Sequence, residues 1–229
     1  MERVEKDREC VGSRSEVVLV DRDRKIIREI DRWRVCQGRH IRELTGFGGQ
    51  RACDRRLRKL AEGGYIKRAK ILYGVASLYS ILAKGAKIEG LPNVNRKIRI
   101  EQIKHDIAVL DTVIYFNKKY DIGYDDVKSE IELHRQDGFG VRKHRPDFIY
   151  TKDGKTICVE IELTLKSKDR FEKIIKDNFL EYHKQIWIVP KLDTKIAKIL
   201  NKSKTMYSNI EILELDEIQA GIRTQEGIE

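Results

Sequence analysis

Apolar residues recur at three- and four-residue intervals in the first part of the chain, which is the period of an amphipathic helix. They predict helices over residues 21–34, 39–45 and 50–62, followed by a hairpin over 65–68 and 77–85. Gly38 and the run Gly46-Phe47-Gly48-Gly49 separate the helices, and Gly63-Gly64 ends the third. This order predicts one small unit over residues 21–90, preceded by a flexible lead over 1–20.

A second set of patterns follows residues 91–100, a segment with proline and asparagine and no periodicity, which predicts a linker. Beyond it the predicted elements are a helix over 101–119, a short helix or extended piece over 125–135, a hairpin over 147–164, a helix over 169–183, a strand over 185–189, a helix over 193–202 and a strand over 209–215. Residues 216–229 are predicted to form a polar tail. The fold class is therefore α/β (α+β), with helices covering a mixed sheet over 101–229.

The predicted hairpin of the second unit carries an unusual pattern of acidic residues. Its turn is Lys152-Asp153-Gly154-Lys155. In the strand that follows, side chains alternate between two faces: Ile157, Val159, Ile161 and Leu163 on one, and Cys158, Glu160, Glu162 and Thr164 on the other. Glutamates at alternate positions of a buried strand repel each other and resist desolvation, unless a cation lies between them. Asp147, on the neighbouring strand, adds a third carboxylate to that face.

Carboxylate oxygens are ligands that Mg²⁺ and Mn²⁺ prefer. The sequence therefore predicts a divalent-metal site with Asp147, Glu160 and Glu162 as ligands. If the extended conformation continues, Lys166 lies on the same face and supplies a cation, and Lys168 is the alternative. An amphipathic hairpin with a solvated acidic face is the other interpretation of this pattern, and it stays open.

Charge is distributed unevenly along the 229 residues, whose net charge is +10. Residues 1–90 hold 22 Lys and Arg against 13 Asp and Glu, whereas residues 91–229 hold 25 against 24. A basic unit joined to a nearly neutral one indicates that the first unit holds a polyanion such as double-stranded DNA. No run approaches the roughly 20 apolar residues of a membrane helix, and the four cysteines form no CxxC pair. We therefore expect a cytoplasmic protein with reduced thiols and no membrane partner.

The third predicted helix has two distinct faces. Cys53, Leu57 and Leu60 are spaced to face a core, whereas five of the nine positions from Arg51 to Lys59 are basic. The candidates for contacts with base edges are Gln50, Arg51 and Arg55. The candidates for phosphate contacts are Arg56, Arg58, Lys67, Arg68 and Lys70. A solvated, arginine-rich helix on a protein-binding domain is the alternative.

Two short sequence segments at the first hairpin resemble those of the winged helix-turn-helix. Leu60-Ala61-Glu62-Gly63-Gly64-Tyr65-Ile66 is similar to the sequence before the wing, and Leu82-Ala83-Lys84-Gly85 to the end of the return strand. This resemblance implies that the N-terminal part of the third helix enters the major groove of DNA. The second hairpin resembles the PD-(D/E)xK nuclease superfamily, with Pro146-Asp147 as the first element and Glu160-Ile161-Glu162 in the place of Glu-x-Lys. The departure is Glu162, which stands where lysine is usual.

Together these motifs resemble the replication-relaxation family of plasmids and integrated mobile elements, which joins a winged helix to a PD-(D/E)xK-like domain. The matching positions are His105-Asp106, Glu130, Arg145-Pro146-Asp147 and Glu160. The resemblance implies DNA binding during plasmid replication, relaxation or mobilisation. It leaves open a relaxase or another replication protein as a partner, and a homodimer as the assembly.

The leading hypothesis is a sequence-directed DNA-binding protein that cuts or nicks DNA with Mg²⁺ or Mn²⁺. In this hypothesis Asp147 and Glu160 bind the metal, and Glu162 orients water or binds a second ion. Lys166 stabilises the charge that develops on phosphate, and Glu130 completes the ligands. The alternatives are a catalytically inactive DNA-binding accessory protein, for which Glu162 marks a lost lysine, and a transcriptional regulator that uses the same fold.

Overall fold

Helices and strands are interspersed along the chain, and the computed structural model has the mixed α/β (α+β) composition that the sequence predicts. It describes residues 17–71, 73–74, 76–92, 99–138, 140 and 143–226. Residues 1–16 of the predicted lead and 93–98 of the predicted linker lie outside this description. None of the helices in the described ranges is both long and apolar enough to span a membrane.

The first sheet has three short antiparallel strands, and helices pack against it. The elements are α1 (Asp21–Arg32), β1 (Cys36–Gln37), α2 (Gly38–Thr45), α3 (Gln50–Glu62), β2 (Ile66–Ala69), β3 (Leu78–Ile81) and α4 (Ala83–Ile88). The strands lie in the order β1-β3-β2. The three predicted helices and the pairing of the two hairpin strands are confirmed. The predicted end of the return strand is wrong, because β3 ends at Ile81 and residues 83–85 begin α4. Both β1 and α4 are too short for periodicity to predict. Buried Ile26, Ile30 and Leu57 show that the apolar stripes of α1 and α3 face the core as expected.

Gly85, the last residue of the segment Leu82-Ala83-Lys84-Gly85, is required by the packing of this sheet. A Cβ atom at Gly85 would lie 2.4 Å from the carbonyl oxygen of Tyr65, closer than any side chain tolerates. The N–H of Leu82 donates to the same oxygen at 3.1 Å, which fixes the approach of the two backbones. Glycine therefore lets α4 cross directly over the start of the hairpin.

The second sheet has five strands of mixed direction. The elements are α5 (Ile100–Tyr120), β4 (Val127–Ser129), α6 (Glu130–Asp137), β5 (Phe148–Lys152), β6 (Lys155–Ile161), α7 (Lys168–Glu181), β7 (Lys184–Val189), α8 (Lys195–Ser203), β8 (Ile210–Glu214) and α9 (Leu215–Glu226). The strands lie in chain order. Strands β4, β5 and β6 pair antiparallel, and β6, β7 and β8 pair parallel. The segment with two sequence interpretations, 125–135, contains β4 and most of α6.

Different helices cover the two faces of the second sheet. Val159 and Ile161 of β6 belong to an apolar cluster that includes residues of α5 and α9. Trp187 of β7 belongs to a second cluster with α7 and α8. Glu160 pairs in register with Trp187 and alternates along β6 with Val159 and Ile161. The alternation predicted for this strand is therefore present, and β6 is buried because it is the middle strand of a sheet covered on both faces.

The last helix corrects the interpretation of residues 216–229 as a polar tail. Residues 215–226 form α9, which packs against α5. Ile218 and Ile222 are buried in this contact. The prediction was wrong because an apolar stripe of so few residues is diluted by the polar residues around it, and only the facing surface of α5 reveals it.

The first and second units pack directly against each other. They share one apolar cluster, which includes Ile41 of α2 and Val109 of α5. Charged pairs surround it: Arg32 Nε lies 2.8 Å from Glu132 Oε2, Arg135 Nη2 lies 2.6 Å from Asp31 Oδ2, and Arg39 Nη2 lies 2.6 Å from Asp111 Oδ1. The interface therefore combines an apolar centre with ion pairs, while the domain boundary at 91–100 stays a prediction.

Candidate functional site

Three acidic residues lie at one end of the hairpin strands of the second sheet. Asp147 immediately precedes β5, Glu160 is the next-to-last residue of β6, and Glu162 follows its end. The N–H of Ile161 donates to Asp147 Oδ2 at 2.7 Å, so the Asp147 side chain links the ends of β5 and β6. The N–H of Glu162 donates to Ile188 O at 2.9 Å and continues the pairing of β6 with β7. The antiparallel hairpin thus brings the three acids to the same end of the sheet.

Burial makes two of these carboxylates difficult to ionise. Glu160 and Glu162 are each 3% exposed, and burial raises the pKa of both. The negative charge of Asp147 raises each pKa further. Asp147 behaves differently: burial acts to raise its pKa, but His105, the Ile161 N–H and Lys166 hold that pKa below its ordinary value. The site therefore places two carboxyl groups that favour protonation beside one that favours the ionised state.

Each of the three carboxylates also has a cationic side chain beside it. The pairs are His105 Nε2 at 3.3 Å from Asp147 Oδ1, His144 Nε2 at 2.7 Å from Glu160 Oε1, and Lys166 Nζ in an ion pair with Glu162 Oε2. Burial acts to lower the pKa of His105, but the neighbouring Asp147 and Asp106 outweigh it and raise that pKa to about 10. The pKa of His144 is also raised, because the bond to Glu160 outweighs burial. The protein's own side chains therefore balance much of the negative charge of the site.

Lys166 lies beside the acids, as the sequence predicts, but it does not reach them by a continuation of the strand. Strand β6 ends at Ile161, so the extended conformation does not continue to Lys166. Its side chain nevertheless returns to Glu162, four residues earlier. Lys168, the alternative cation, begins α7 and lies 3.8 Å from Glu172 with its side chain 80% exposed. Of the two lysines, Lys166 is the one that contacts the acidic cluster.

Two residues of the site were not predicted from the sequence. His144 lies in the segment before β5 and binds Glu160, and Asn178 of α7 donates from Nδ2 to Glu160 Oε1 at 2.9 Å. Asn178 occupies the apolar stripe of α7, three residues after buried Ile175. A polar residue on an apolar stripe is a signal for a buried hydrogen bond, and it could have identified Asn178. His144 has no such signal, because only the fold brings the loop over β6.

Glu130 lies on a different side of Asp147 from the other acids. It begins α6, and its N–H donates to Asp147 O at 2.9 Å. Glu130 lines a small cavity of about 10 Å³ together with Arg34, Asp106 and Asp147. Neither Glu160 nor Glu162 lines this cavity. Asp147 is therefore the residue that connects Glu130 with the hairpin acids.

The donor set suits a hard cation, since it consists of carboxylate oxygens at one end of a sheet. In the described part of the chain, however, no three His, Cys, Asp or Glu side chains are gathered closely enough to hold an ion. The carboxylates of Asp147, Glu160 and Glu162 are each turned toward a histidine or lysine partner instead. An ion at this position would replace contacts made by His105, His144 and Lys166. The ligand assignment stays a prediction.

The basic residues of the first unit form a surface on the outside of α3 and its hairpin. The apolar residues Cys53, Leu57 and Leu60 are buried beneath it. Seven of the eight candidates for DNA contacts are exposed: Gln50, Arg51, Arg55, Arg58, Lys67, Arg68 and Lys70. Residues with positive charge on both α3 and β2 therefore face solvent.

Arg56 is the exception among these candidates. Its Nε lies 2.5 Å from Asp23 Oδ1, and its Nη2 donates to Val18 O at 2.8 Å. Asp23 is fully buried in the first turn of α1. The hydrogen bond to Asp23 raises the pKa of Arg56, which stays charged. The guanidinium thus fastens α3 to the start of α1.

Comparison with known proteins assigns the chain to no family. The sequence matches no protein-family model and no curated protein. The resemblance to the replication-relaxation family therefore remains a prediction that rests on the motifs themselves.

Proposed function

We propose that this protein binds double-stranded DNA through the basic surface of α3 and β2 and cuts or nicks it with Mg²⁺ or Mn²⁺ at the acidic end of β6. The observation that carries the proposal is the burial of Glu160 and Glu162 beside Asp147. Buried carboxylates at alternate positions of a strand oppose folding, and perturbed acids of this kind cluster at functional sites.

The arrangement of the first unit supports DNA binding. Three helices followed by an antiparallel hairpin are the order of a winged helix-turn-helix, in which α3 would be the recognition helix. Its exposed Gln50, Arg51 and Arg55 lie at the N-terminal end, the part of a recognition helix that contacts base edges. The exposed basic residues of β2 would contact phosphates on the flank of that groove.

The second unit supports the nuclease assignment. Helix α5 precedes a hairpin, and β6 is followed by α7 and a parallel strand, which is the order expected of a PD-(D/E)xK-like domain. A bound Mg²⁺ or Mn²⁺ would supply Lewis-acid activation of the scissile phosphate. Asp147 and Glu160 would hold the ion, while the backbone N–H of Glu130 would fix the main chain at Asp147 through its bond to the Asp147 carbonyl oxygen. Glu162 would orient the attacking water, and Lys166 would place a positive charge beside the developing negative charge.

Cleavage of supercoiled plasmid tests this proposal. Native protein with Mg²⁺ or Mn²⁺ should convert the plasmid to the open-circular or linear form, and Asp147→Asn and Glu160→Gln should each lower the rate by about a hundredfold or more. Glu172→Gln is the matched control, since Glu172 is an exposed acid on α7 that lies away from the cluster. Equal cleavage by native protein and both site variants would refute the assignment of the site.

A second function is favoured by one specific observation. His105, His144 and Lys166 each pair with one of the acids, so the protein's own side chains balance much of the negative charge without an ion. This supports a DNA-binding accessory protein or transcriptional regulator that uses the same fold without catalysis. No cleavage with any divalent metal, together with the same DNA affinity in native protein and the Asp147→Asn variant, would select this function.

A further inference from the structure

Arg34 adopts an unusual backbone conformation directly after α1. Its φ is +66°, in the left-handed region that is unfavourable for a residue with a side chain. The N–H of Val35 donates to Trp33 O at 2.7 Å, which closes a three-residue γ-turn with Arg34 at its centre. A strained conformation persists where the surroundings hold the residue in place, and it is common at functional sites.

The side chain of Arg34 extends from the first unit into the candidate site of the second. Its Nη2 lies 2.8 Å from Glu130 Oε2 and 3.4 Å from Asp106 Oδ1. Arg34, Asp106, Glu130 and Asp147 together line the small cavity beside β5. The side chain is 27% exposed, so much of the guanidinium is removed from water and its charge acts strongly on these acids.

Other arginines at the same interface make different contacts. Arg32 binds Glu132 and the carbonyl oxygens of Tyr124 and Val127, and Arg135 binds Asp31. None of these partners belongs to the acidic cluster. The interface is therefore held by several ion pairs, whereas Arg34 contacts the acids that line the cavity.

We propose that Arg34 is a positioning residue of the candidate site, supplied by the first unit. It neutralises Asp106 and Glu130 beside Asp147, and its positive charge opposes the binding of a divalent cation at Asp147. Binding of an ion near Asp147 thus weakens one contact between the units, and the contact in turn lowers affinity for the ion. This inference rests on the proposed metal-dependent function, and it adds a link between the DNA-binding unit and the acidic site.

Calorimetric titration of the full chain with Mn²⁺, without DNA, tests the inference. Arg34→Gln removes the charge, and Arg34→Gly removes it while relieving the backbone strain, because glycine adopts a φ of +66° freely. Both variants should bind Mn²⁺ at least about tenfold more tightly than native protein, since a unit charge a few ångströms away is worth more than that in a partly buried site. Arg34→Lys should bind Mn²⁺ with the affinity of native protein, because it keeps the positive charge.

Arg135→Gln is the matched control, since it breaks an ion pair of the same interface outside the cavity. Its Mn²⁺ affinity should equal that of native protein. Unchanged or weaker binding by the Gln and Gly variants would overturn the inference, as would an equal gain in the Arg135 variant. Plasmid cleavage that depends on Asp147 without any effect of Arg34 on Mn²⁺ affinity would refute this inference alone. Tighter Mn²⁺ binding in the Arg34 variants without any cleavage would refute only the proposed cutting.

Discussion

Replacement of Glu160 by glutamine should make the protein more stable while it abolishes the proposed cleavage of DNA. Glu160 Oε1 accepts hydrogen bonds from His144 Nε2 at 2.7 Å and Asn178 Nδ2 at 2.9 Å. The amide oxygen of glutamine is able to accept the same two bonds from the same position. Glu160→Gln therefore keeps the packing and the contacts and removes one buried negative charge.

The expected gain follows from the burial of this group. Since burial raises the pKa of Glu160, its ionised form opposes folding at neutral pH. His144 is not left as a stranded charge in the variant, because its side chain is 27% exposed and it is able to lose its proton. We expect the variant to be more stable by about 1–2 kcal/mol, within the range of single stabilising substitutions. For a chain of this size each 1 kcal/mol raises the Tm by about 2–4 °C.

The gain in stability of the Glu160→Gln variant should depend on pH in a defined direction. A carboxyl group whose pKa is higher in the folded state binds a proton more readily when folded, so native protein becomes more stable as pH falls through the folded pKa. The raised pKa of His144 acts in the same direction, because its stabilising contact is lost as pH rises. The difference between Glu160→Gln and native protein should be largest at mildly alkaline pH and should shrink as the pH falls toward the ordinary pKa of a carboxyl group.

Differential scanning calorimetry without metal, at alkaline, neutral and acidic pH, measures this difference. Glu172→Gln, which changes an exposed acid, should stay within about 0.5 kcal/mol of native protein. A Glu160→Gln protein that melts below native protein at alkaline pH would refute the reasoning. A gain that does not shrink on acidification would refute the assigned cause, which is the burial of charge.

Three further predictions concern the rest of the chain. Arg58→Ala should lower the slope of log affinity for DNA against log salt concentration by about 1, as measured by fluorescence anisotropy. Arg56→Ala should instead destabilise the protein by about 2–3 kcal/mol in urea unfolding, because its partner Asp23 on α1 is fully buried. The reverse result would refute the internal role of Arg56. Gly85→Ala should destabilise by about 2 kcal/mol or more because of its contact with a backbone carbonyl, while Gly48→Ala, which meets no atom within 4 Å, should be nearly neutral in the same unfolding assay. Asp111→Asn should lower the free energy of unfolding by about 3 kcal/mol near neutral pH, because it breaks the buried ion pairs of Asp111 with Arg39 and His40 of α2. These partners hold the pKa of Asp111 low despite its burial, so the loss of stability should fade as the pH drops through that pKa. A loss of stability that is constant with pH would contradict this.

Much of the fold follows from local patterns. The helices α1, α2 and α3 have apolar stripes with a helical period, and β6 alternates between apolar and polar residues, so each element is specified by residues close together in sequence. The same alternation placed Glu160 and Glu162 on one face, and the antiparallel turn brought Asp147 to their end of the sheet. These predictions succeed because side-chain direction within a helix or strand is fixed by backbone geometry alone.

The contacts of the site depend on distant residues, and the tertiary structure decided them. His144 reaches Glu160 from a loop, Asn178 reaches it from α7, and Arg34 reaches Glu130 from the other unit. The buried stripe of α9 likewise becomes visible only against α5. Local sequence determined which elements form and which face carries the acids, because those follow from backbone periodicity; the partners of each charge depend on how the elements pack, and no local pattern contains that information.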